Sequence, residues 1–68
     1  MSVARVTEII SSSPDSFEDA IRQGVERAVQ TLRQVKGAWV EGQKVICNER
    51  GEIVEYRVDL KVTFILKD

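Results

Sequence analysis

Trp39 and Arg57 are the two side chains of this sequence whose chemistry best suits ligand binding. Trp39 is the only tryptophan among the 68 residues. An indole offers a wide apolar plane with one N–H donor, so it either stacks on a flat ligand or anchors an interface. Arg57 carries a planar guanidinium that can clamp an anionic or carbonyl-rich ligand, although a strand arginine also serves in rows of surface ion pairs. Binding of a flat polar ligand and packing at an interface therefore both remain open for these residues.

The sequence lacks the residues on which most enzyme classes depend. It contains no histidine and one cysteine, so a histidine general base, a zinc constellation and a disulfide framework are all excluded. Cys47 has no second thiol to act with, which argues against a reactive nucleophile. The four glycines are scattered and form no phosphate-cradling loop. We therefore expect a protein that is not an enzyme, and no metal ligand can be assigned.

Charge and hydropathy narrow the classes of partner. Ten Lys and Arg against eleven Asp and Glu give a formal net charge of -1, so no broad attraction to a nucleic-acid backbone is expected. No apolar run approaches the roughly 20 residues that a membrane-spanning helix needs, so we expect no membrane partner. The first residues lack the charged start and long apolar core of a signal peptide, which favours a cytoplasmic location.

The first half of the sequence predicts a strand followed by a helix. Residues 3–10 alternate partly between apolar and polar side chains, as a strand does. The serine run then predicts the end of the strand, with Ser13 as the helix N-cap and Pro14 at the first helical position. From Pro14 to about Gln34, apolar residues recur at three- and four-residue steps along one stripe. Gly24 lies inside this stripe and indicates either a close approach of a neighbouring backbone or a tolerated glycine.

The second half predicts two strands joined by a turn. Residues 37–46 alternate, residues 48–52 form the turn, and residues 53–66 alternate without a break. A strand of that length spans roughly 45 Å, so it must either curve strongly around the helix or reach into neighbouring subunits. The chain 1–68 is therefore predicted to be a single α+β domain with β-α-β-β order. One helix would pack across a curved three-stranded antiparallel sheet.

The strand register predicts which side chains share a face. If the hairpin pairs Cys47 with Ile53, the same-face pairs are Gln43 with Arg57, Glu41 with Asp59, and Trp39 with Lys61. Trp39 then lies on a charged face, away from the helix. The charges alternate in sign along the last strand, at Glu55, Arg57, Asp59 and Lys61. Such a row either pairs with itself across a two-fold axis of a homo-oligomer or is simply solvated.

The order and spacing of these segments resemble one family over nearly the whole chain. The resemblance is carried by Val6-Thr7-Glu8-Ile9-Ile10, Ser12-Ser13-Pro14-Asp15-Ser16-Phe17, the helix run from Ala20-Ile21 through Glu26-Arg27-Ala28 to Thr31-Leu32-Arg33, Tyr56-Arg57-Val58 and Val62-Thr63-Phe64. The sequence resembles the dodecins, small flavin-binding proteins that assemble as hollow shells of twelve subunits. The resemblance implies a homododecamer that binds and stores riboflavin or FMN.

The resemblance also implies a flavin site, with two departures. In flavin-binding dodecins a tryptophan just after the helix stacks on the isoalloxazine ring, and a glutamine in the last strand hydrogen-bonds the ring edge. Gly37 and Arg57 occupy those two positions in this sequence. Trp39 lies two residues further on, so the resemblance places an aromatic wall about 7 Å away on the same strand face. The flavin-binding residues implied are therefore Trp39, Arg57, Gly37 and Gln43.

A second reading of the resemblance is a protein without flavin. A flavin-free branch of the family, the calcium dodecins, is similar to this chain in its Tyr56-Arg57 pair and in lacking the tryptophan at position 37. This reading implies an assembly protein that binds ions or small anions on its symmetry axes. We expect flavin binding to be weak or absent.

Overall fold

The computed structural model describes residues 3–66, which form three strands and one helix. The elements are β1 (Ala4–Ser13), α1 (Phe17–Thr31), β2 (Val35–Cys47) and β3 (Ile53–Ile65). The strands form one antiparallel sheet in the order β1-β3-β2, with β3 in the centre. The predicted β-α-β-β order and α+β class are confirmed.

A small core lies between α1 and one face of the sheet. Its buried hydrophobic residues come from the helix and the central strand: Ala20, Ala28, Val58, Leu60 and Val62. Partly buried residues pack around them, namely Ile9, Phe17, Ile21, Leu32 and Val35. The apolar stripe of the helix and the one-sided alternation of β3 are thus confirmed. The odd-numbered residues of β3 lie on the opposite face of the sheet, which we call the open face.

Strand β1 extends past its predicted end at Ile10. Ser11, Ser12 and Ser13 continue the ladder opposite Val58, Arg57 and Tyr56. The serines do not form a turn because β3 offers a hydrogen-bonding edge along this whole stretch. The apolar grouping of Val6 with Ile10 does not mark the core side of β1, since both are exposed and Ile9 packs against the core instead.

The helix begins later than predicted, because Ser13 still belongs to β1. The N-cap is Ser16, whose Oγ accepts a hydrogen bond from the Asp19 backbone N–H at 3.0 Å. The buried Ser13 hydroxyl instead donates to Asp19 Oδ2 at 2.6 Å and accepts from the Asp15 N–H at 3.0 Å. The prediction of Ser13 as N-cap and of Pro14 as the first helical residue is therefore wrong.

The helix also ends earlier than predicted, at Thr31 rather than near Gln34. Leu32 is the C-cap, and Gln34 adopts a left-handed conformation with φ 55°. This conformation turns the chain into β2. The Gln34 carbonyl oxygen accepts a hydrogen bond from the Ile65 N–H at 3.1 Å, which ties the connection to β3.

Gly24 is buried where α1 crosses the sheet. A Cβ atom at this position would lie 2.7 Å from Leu60 Cδ1 and 3.0 Å from Ser11 Cβ. The neighbouring atoms belong to side chains, so the predicted close approach of a neighbouring backbone is wrong, although the position is tightly packed.

Irregularities in the β2–β3 ladder change part of the predicted register. Cys47 pairs with Ile53 and Trp39 with Lys61, as predicted. Register shifts at Ile46/Cys47 and at Val40/Gly42 displace the residues between them by one position. The predicted pairs Gln43 with Arg57 and Glu41 with Asp59 are therefore wrong, since Lys44 lies opposite Arg57, Gly42 opposite Asp59 and Gln43 opposite Val58. A shift of one residue moves a side chain to the other face, so Gln43 leaves the face of Trp39.

The molecule is elongated, with two long strands, β2 and β3, of 13 residues each. Its principal extents are 52 × 19 × 14 Å, and its radius of gyration is 14.0 Å. A compact domain of this length would have a radius of gyration near 11 Å. The elongated shape leaves the ends of the long last strand away from the helix, and its reach into neighbouring subunits stays a prediction.

The hairpin turn matches its prediction. Gly51 has φ 81°, a conformation that glycine adopts without steric cost. Asn48 Oδ1 accepts hydrogen bonds from the backbone N–H groups of Arg50 at 2.9 Å and Glu52 at 3.1 Å. The asparagine side chain thereby holds the turn closed.

Candidate ligand-binding site

Trp39 presents an uncovered aromatic surface on the open face. It is 60% exposed, although it is the largest side chain in the sequence. Gly37 and Gly42 share its face, and no non-adjacent heavy atom lies within 4 Å of the point where a Cβ would be at either position. Because these two positions carry no side chain, the space on both sides of the indole is open to a flat molecule.

Arg57 is held in place by its own strand. Its Nη2 and Nε donate to Glu55 Oε1 at 2.8 and 3.1 Å. These hydrogen bonds, together with one from Ser12, lower the pKa of Glu55. The guanidinium is half-buried, and its Nη1 is not used in these bonds, so it can still donate to a ligand.

A shallow cavity of about 300 Å³ lies beside Arg57. Its lining residues are Ile10, Gly42, Gln43, Lys44, Arg57, Val58 and Asp59. Two of the four predicted site residues, Arg57 and Gln43, are therefore brought together. Trp39 and Gly37 lie further along β2 and do not line this cavity.

Three carboxyl groups surround Lys61 on the open face. Lys61 Nζ lies 3.1 Å from Glu41 Oε1, and this contact raises the pKa of Lys61. Glu8 lies opposite Lys61 on β1. Hydrogen bonding with Asp59 and repulsion from it raise the pKa of Glu8.

Asp59 lines the cavity beside Arg57 and is not among the candidate site residues predicted from the sequence. Its Oδ1 is buried and has no hydrogen-bond partner within residues 3–66. In the sequence, Asp59 is predicted only to take part in the charged row that could pair with another subunit. The β1–β3 register, which brings Glu8 close to Asp59, was not part of the prediction, and it is the signal that could have exposed the cluster.

The charged row has partners within one chain. Arg57 forms an ion pair with Glu55, and Lys61 forms one with Glu41. Both cations therefore already have a partner in their own chain. Asp59 forms no salt bridge in the described part of the chain. Pairing of the row between subunits stays a prediction.

Residues 3–66 carry neither a cluster of metal ligands nor a membrane-spanning helix. Within that range, no group of three or more Asp, Glu and Cys side chains is arranged to hold a metal ion. Cys47 is exposed and has no disulfide partner there. No helix of the described chain has the length and apolar character needed to cross a membrane.

The fold and the open face define a small α+β domain of the β-α-β-β type. The family model for dodecin matches residues 3–67, and the chain belongs to the dodecin family.

Two relatives illustrate the similarity. The chain is 36% identical over 67 residues to the calcium dodecin of Mycobacterium tuberculosis, covering 98% of this chain and 93% of that protein. The structure of that relative, described as a calcium-chelating antigen with a novel calcium-binding site, matches with a TM-score of 0.82 and 34% identity over 96% of this chain and 91% of that one. The dodecin from Streptomyces davaonensis matches with a TM-score of 0.91 and 36% identity over 98% and 97% of the two chains.

Proposed function

We propose that this protein is a non-enzymatic flavin-binding and storage protein that holds riboflavin or FMN in a cytoplasmic homododecamer. The observation that carries the proposal is the exposed indole of Trp39, flanked by Gly37 and Gly42 on the open face. Stacking on an indole suits a flat, electron-poor ring system such as an isoalloxazine. The flavin dodecins that this sequence resembles hold the ring in this way.

Two features of the described residues suit a flavin, namely the indole of Trp39 and the cavity beside Arg57. Stacking on Trp39 contributes roughly 0.5–1.5 kcal/mol beyond the burial of apolar area. The cavity beside Arg57 begins one same-face position further along the sheet, a spacing of about 7 Å that a tricyclic ring can span. A flavin stacked on Trp39 would then direct one edge toward Arg57, and a second subunit would cover its other face.

Arg57 limits the expected affinity. A guanidinium donates hydrogen bonds to ring carbonyl oxygens but cannot accept one from a ring N–H, which a glutamine side chain can do. Loss of one such hydrogen bond corresponds to roughly five- to tenfold weaker binding. Arg57 by itself would therefore hold the ring edge more weakly than a glutamine at this position.

Titration of riboflavin and FMN against the wild-type protein and Trp39→Ala tests the proposal. Following flavin fluorescence, we expect measurable binding to the wild type and at least about tenfold weaker binding to Trp39→Ala, because both stacking and apolar burial are lost. Val40→Ala is the matched control, since Val40 is the exposed neighbour on the opposite face of the same strand. Undiminished binding by Trp39→Ala would contradict the role given to the indole.

The alternative proposal is a flavin-free assembly protein that binds ions or small anions on its symmetry axes. Two observations favour it: Trp39 does not line the cavity that contains Arg57, and Lys44 lies opposite Arg57, which places two cations on one face. Similarity to the calcium-chelating relative also supports the proposal that the ligand is an ion. Absence of flavin binding by the wild type, with retention of phosphate or Ca²⁺ in equilibrium dialysis, would select this alternative.

A further inference from the structure

Asp59 is an acceptor without a donor at the edge of the candidate site. Its Oδ1 is buried without a hydrogen-bond partner, and the residue lines the cavity of about 300 Å³ beside Arg57. Most buried acceptors in folded proteins are hydrogen-bonded, so an unpaired one calls for a missing partner. The partner must be a donor, because an ionised carboxylate can only accept.

Arg57 and Asp59 form a complementary pair on the open face. They are two residues apart on β3 and therefore point to the same side of the sheet. Arg57 offers only donors and Asp59, when ionised, only acceptors. Together they match a ligand edge on which a carbonyl oxygen stands beside an N–H group. An imide, such as the one in the pyrimidine ring of a flavin, has this arrangement.

We propose that Asp59 accepts a hydrogen bond from the imide N–H of a bound flavin while Arg57 donates to the adjacent ring carbonyl. The pair would thus divide between two side chains the donor and acceptor roles that one amide side chain can fill alone. The inference rests on the proposed function, since it names the residue that recognises the ring edge of the same ligand. Rotation about χ2 of an aspartate is soft, so the carboxyl group can turn toward the cavity that it lines.

Glu8 is the neighbour that competes with the ligand for Asp59. Glu8 is a diagonal neighbour of Asp59 across the β1–β3 ladder, and its interaction with Asp59 is the largest cause of the raised pKa of Glu8. A protonated Glu8 can donate to Asp59, whereas an ionised Glu8 cannot. Lys61 pairs with Glu41 and Arg57 with Glu55, and Lys44, which lines the same cavity from β2, makes no hydrogen bond to Asp59 Oδ1. The acceptor is therefore free for a ligand once Glu8 has lost its proton.

The experiment compares riboflavin with N3-methylriboflavin, which lacks the imide N–H. On the assembled full-length protein with Glu8 ionised, we expect the wild type to bind riboflavin about tenfold more tightly than the methylated analogue, the loss of a hydrogen bond to a charged acceptor. Asp59→Ala should bind both ligands with similar affinity. Asp59→Asn, whose amide oxygen can still accept, should retain most of the preference. Glu52→Ala removes the same charge at the exposed hairpin turn and should leave the preference unchanged.

The outcomes separate this inference from the proposed function. Equal affinity of the wild type for the two ligands would overturn the role of Asp59 and leave flavin binding in place. Failure of the wild type to bind riboflavin would overturn both. The comparison of the two ligands on the wild-type protein needs no substitution, so it can overturn the inference even if Asp59→Ala fails to fold.

Discussion

Gly24 sets how closely the helix can approach the sheet, because a methyl group there would meet Leu60 and Ser11. Alanine would raise the helix propensity by about 1 kcal/mol, whereas overpacking a filled core costs about 1–3 kcal/mol. Leu60 is fully buried, so its side chain has little room to move aside. We expect Gly24→Ala to lower the free energy of unfolding by about 1 kcal/mol, measured by denaturant titration.

Gly37→Ala is the matched control for that measurement. Gly37 has no non-adjacent heavy atom within 4 Å of its Cβ position and has no positive φ, so the added methyl group meets no obstacle. Its free energy of unfolding should stay within about 0.5 kcal/mol of the wild type. Equal stabilities of Gly24→Ala and wild type would show that the helix can shift away from Leu60.

Trp39 and Asp59 show how much of the open face could be predicted from the sequence. The face of Trp39 could be predicted from the hairpin register, because the two register shifts between Cys47 and Trp39 cancel. Asp59 could not, since its isolation arises from where Glu8, Lys61 and Glu41 lie on three different strands. Sequence distance carries no information about such a cluster until every register is known.

The register shifts between β2 and β3 show why a regular alternation of apolar and polar residues does not fully predict which residues pair. The bulge near the turn and the bulge at Glu41 displace the strand in opposite directions, so the pair Trp39 and Lys61 is recovered beyond both. Between them, Gln43 and Lys44 exchange faces relative to the prediction. Bulges depend on local twist and on ladder hydrogen bonds, which side-chain polarity does not record.

The boundary between β1 and α1 was mispredicted for a related reason. Ser13 and Ser16 both have the chemistry of an N-cap, and Pro14 made the earlier position more attractive. Ser16 is the N-cap because Ser13 pairs with Tyr56 of β3 and therefore still belongs to the strand. A tertiary contact therefore decides where the helix begins.

Asp19 joins the end of β1 to the first turn of α1 and should make stability depend on pH. Hydrogen bonds from Ser13, Arg22 and Gln23 lower its pKa, Ser13 having the largest effect. A lowered folded-state pKa gives stability that is fully present above the unfolded value of about 3.9 and is lost as the pH falls through the folded value. We expect Asp19→Asn to have a lower Tm than the wild type at neutral pH and a smaller deficit in acid.

Asp15→Asn makes the same charge change in the preceding loop and serves as the control for Asp19. Thermal melts of the three proteins over the same pH series provide the comparison. A Tm difference between Asp19→Asn and wild type that stays constant down to the acid limit would contradict the linkage argument.

The whole molecule exposes more apolar surface than a small monomer would. Large hydrophobic residues are exposed on both faces of the sheet and along the hairpin, including Val6, Ile10, Trp39, Val40, Val45, Ile53 and Val54. Exposed apolar patches of this kind mark interaction sites. We expect self-assembly to cover them, and light scattering should give a mass of about twelve times the 7.7 kDa chain. A monomer mass at micromolar concentration would contradict the assembly.

Arg57→Glu tests whether the charged row contributes to that assembly. The reversal would place two acidic side chains side by side at positions 55 and 57, and it should lower the assembled mass or its Tm if the row is desolvated between subunits. Arg50→Glu is the control, because Arg50 lies at the exposed turn with 83% of its side chain accessible. Equal effects of the two variants would indicate that the row is solvated.

The central position of β3 has a consequence for how the protein is made. Every strand pair of the described sheet includes β3, the last of its elements to leave the ribosome. Until β3 emerges, β1 and β2 have no ladder to join, and α1, with 15 residues, is too short to be stable alone. The segments that become β1, α1 and β2 are therefore synthesised before they can form the sheet. The fold forms only after residue 65 has been translated.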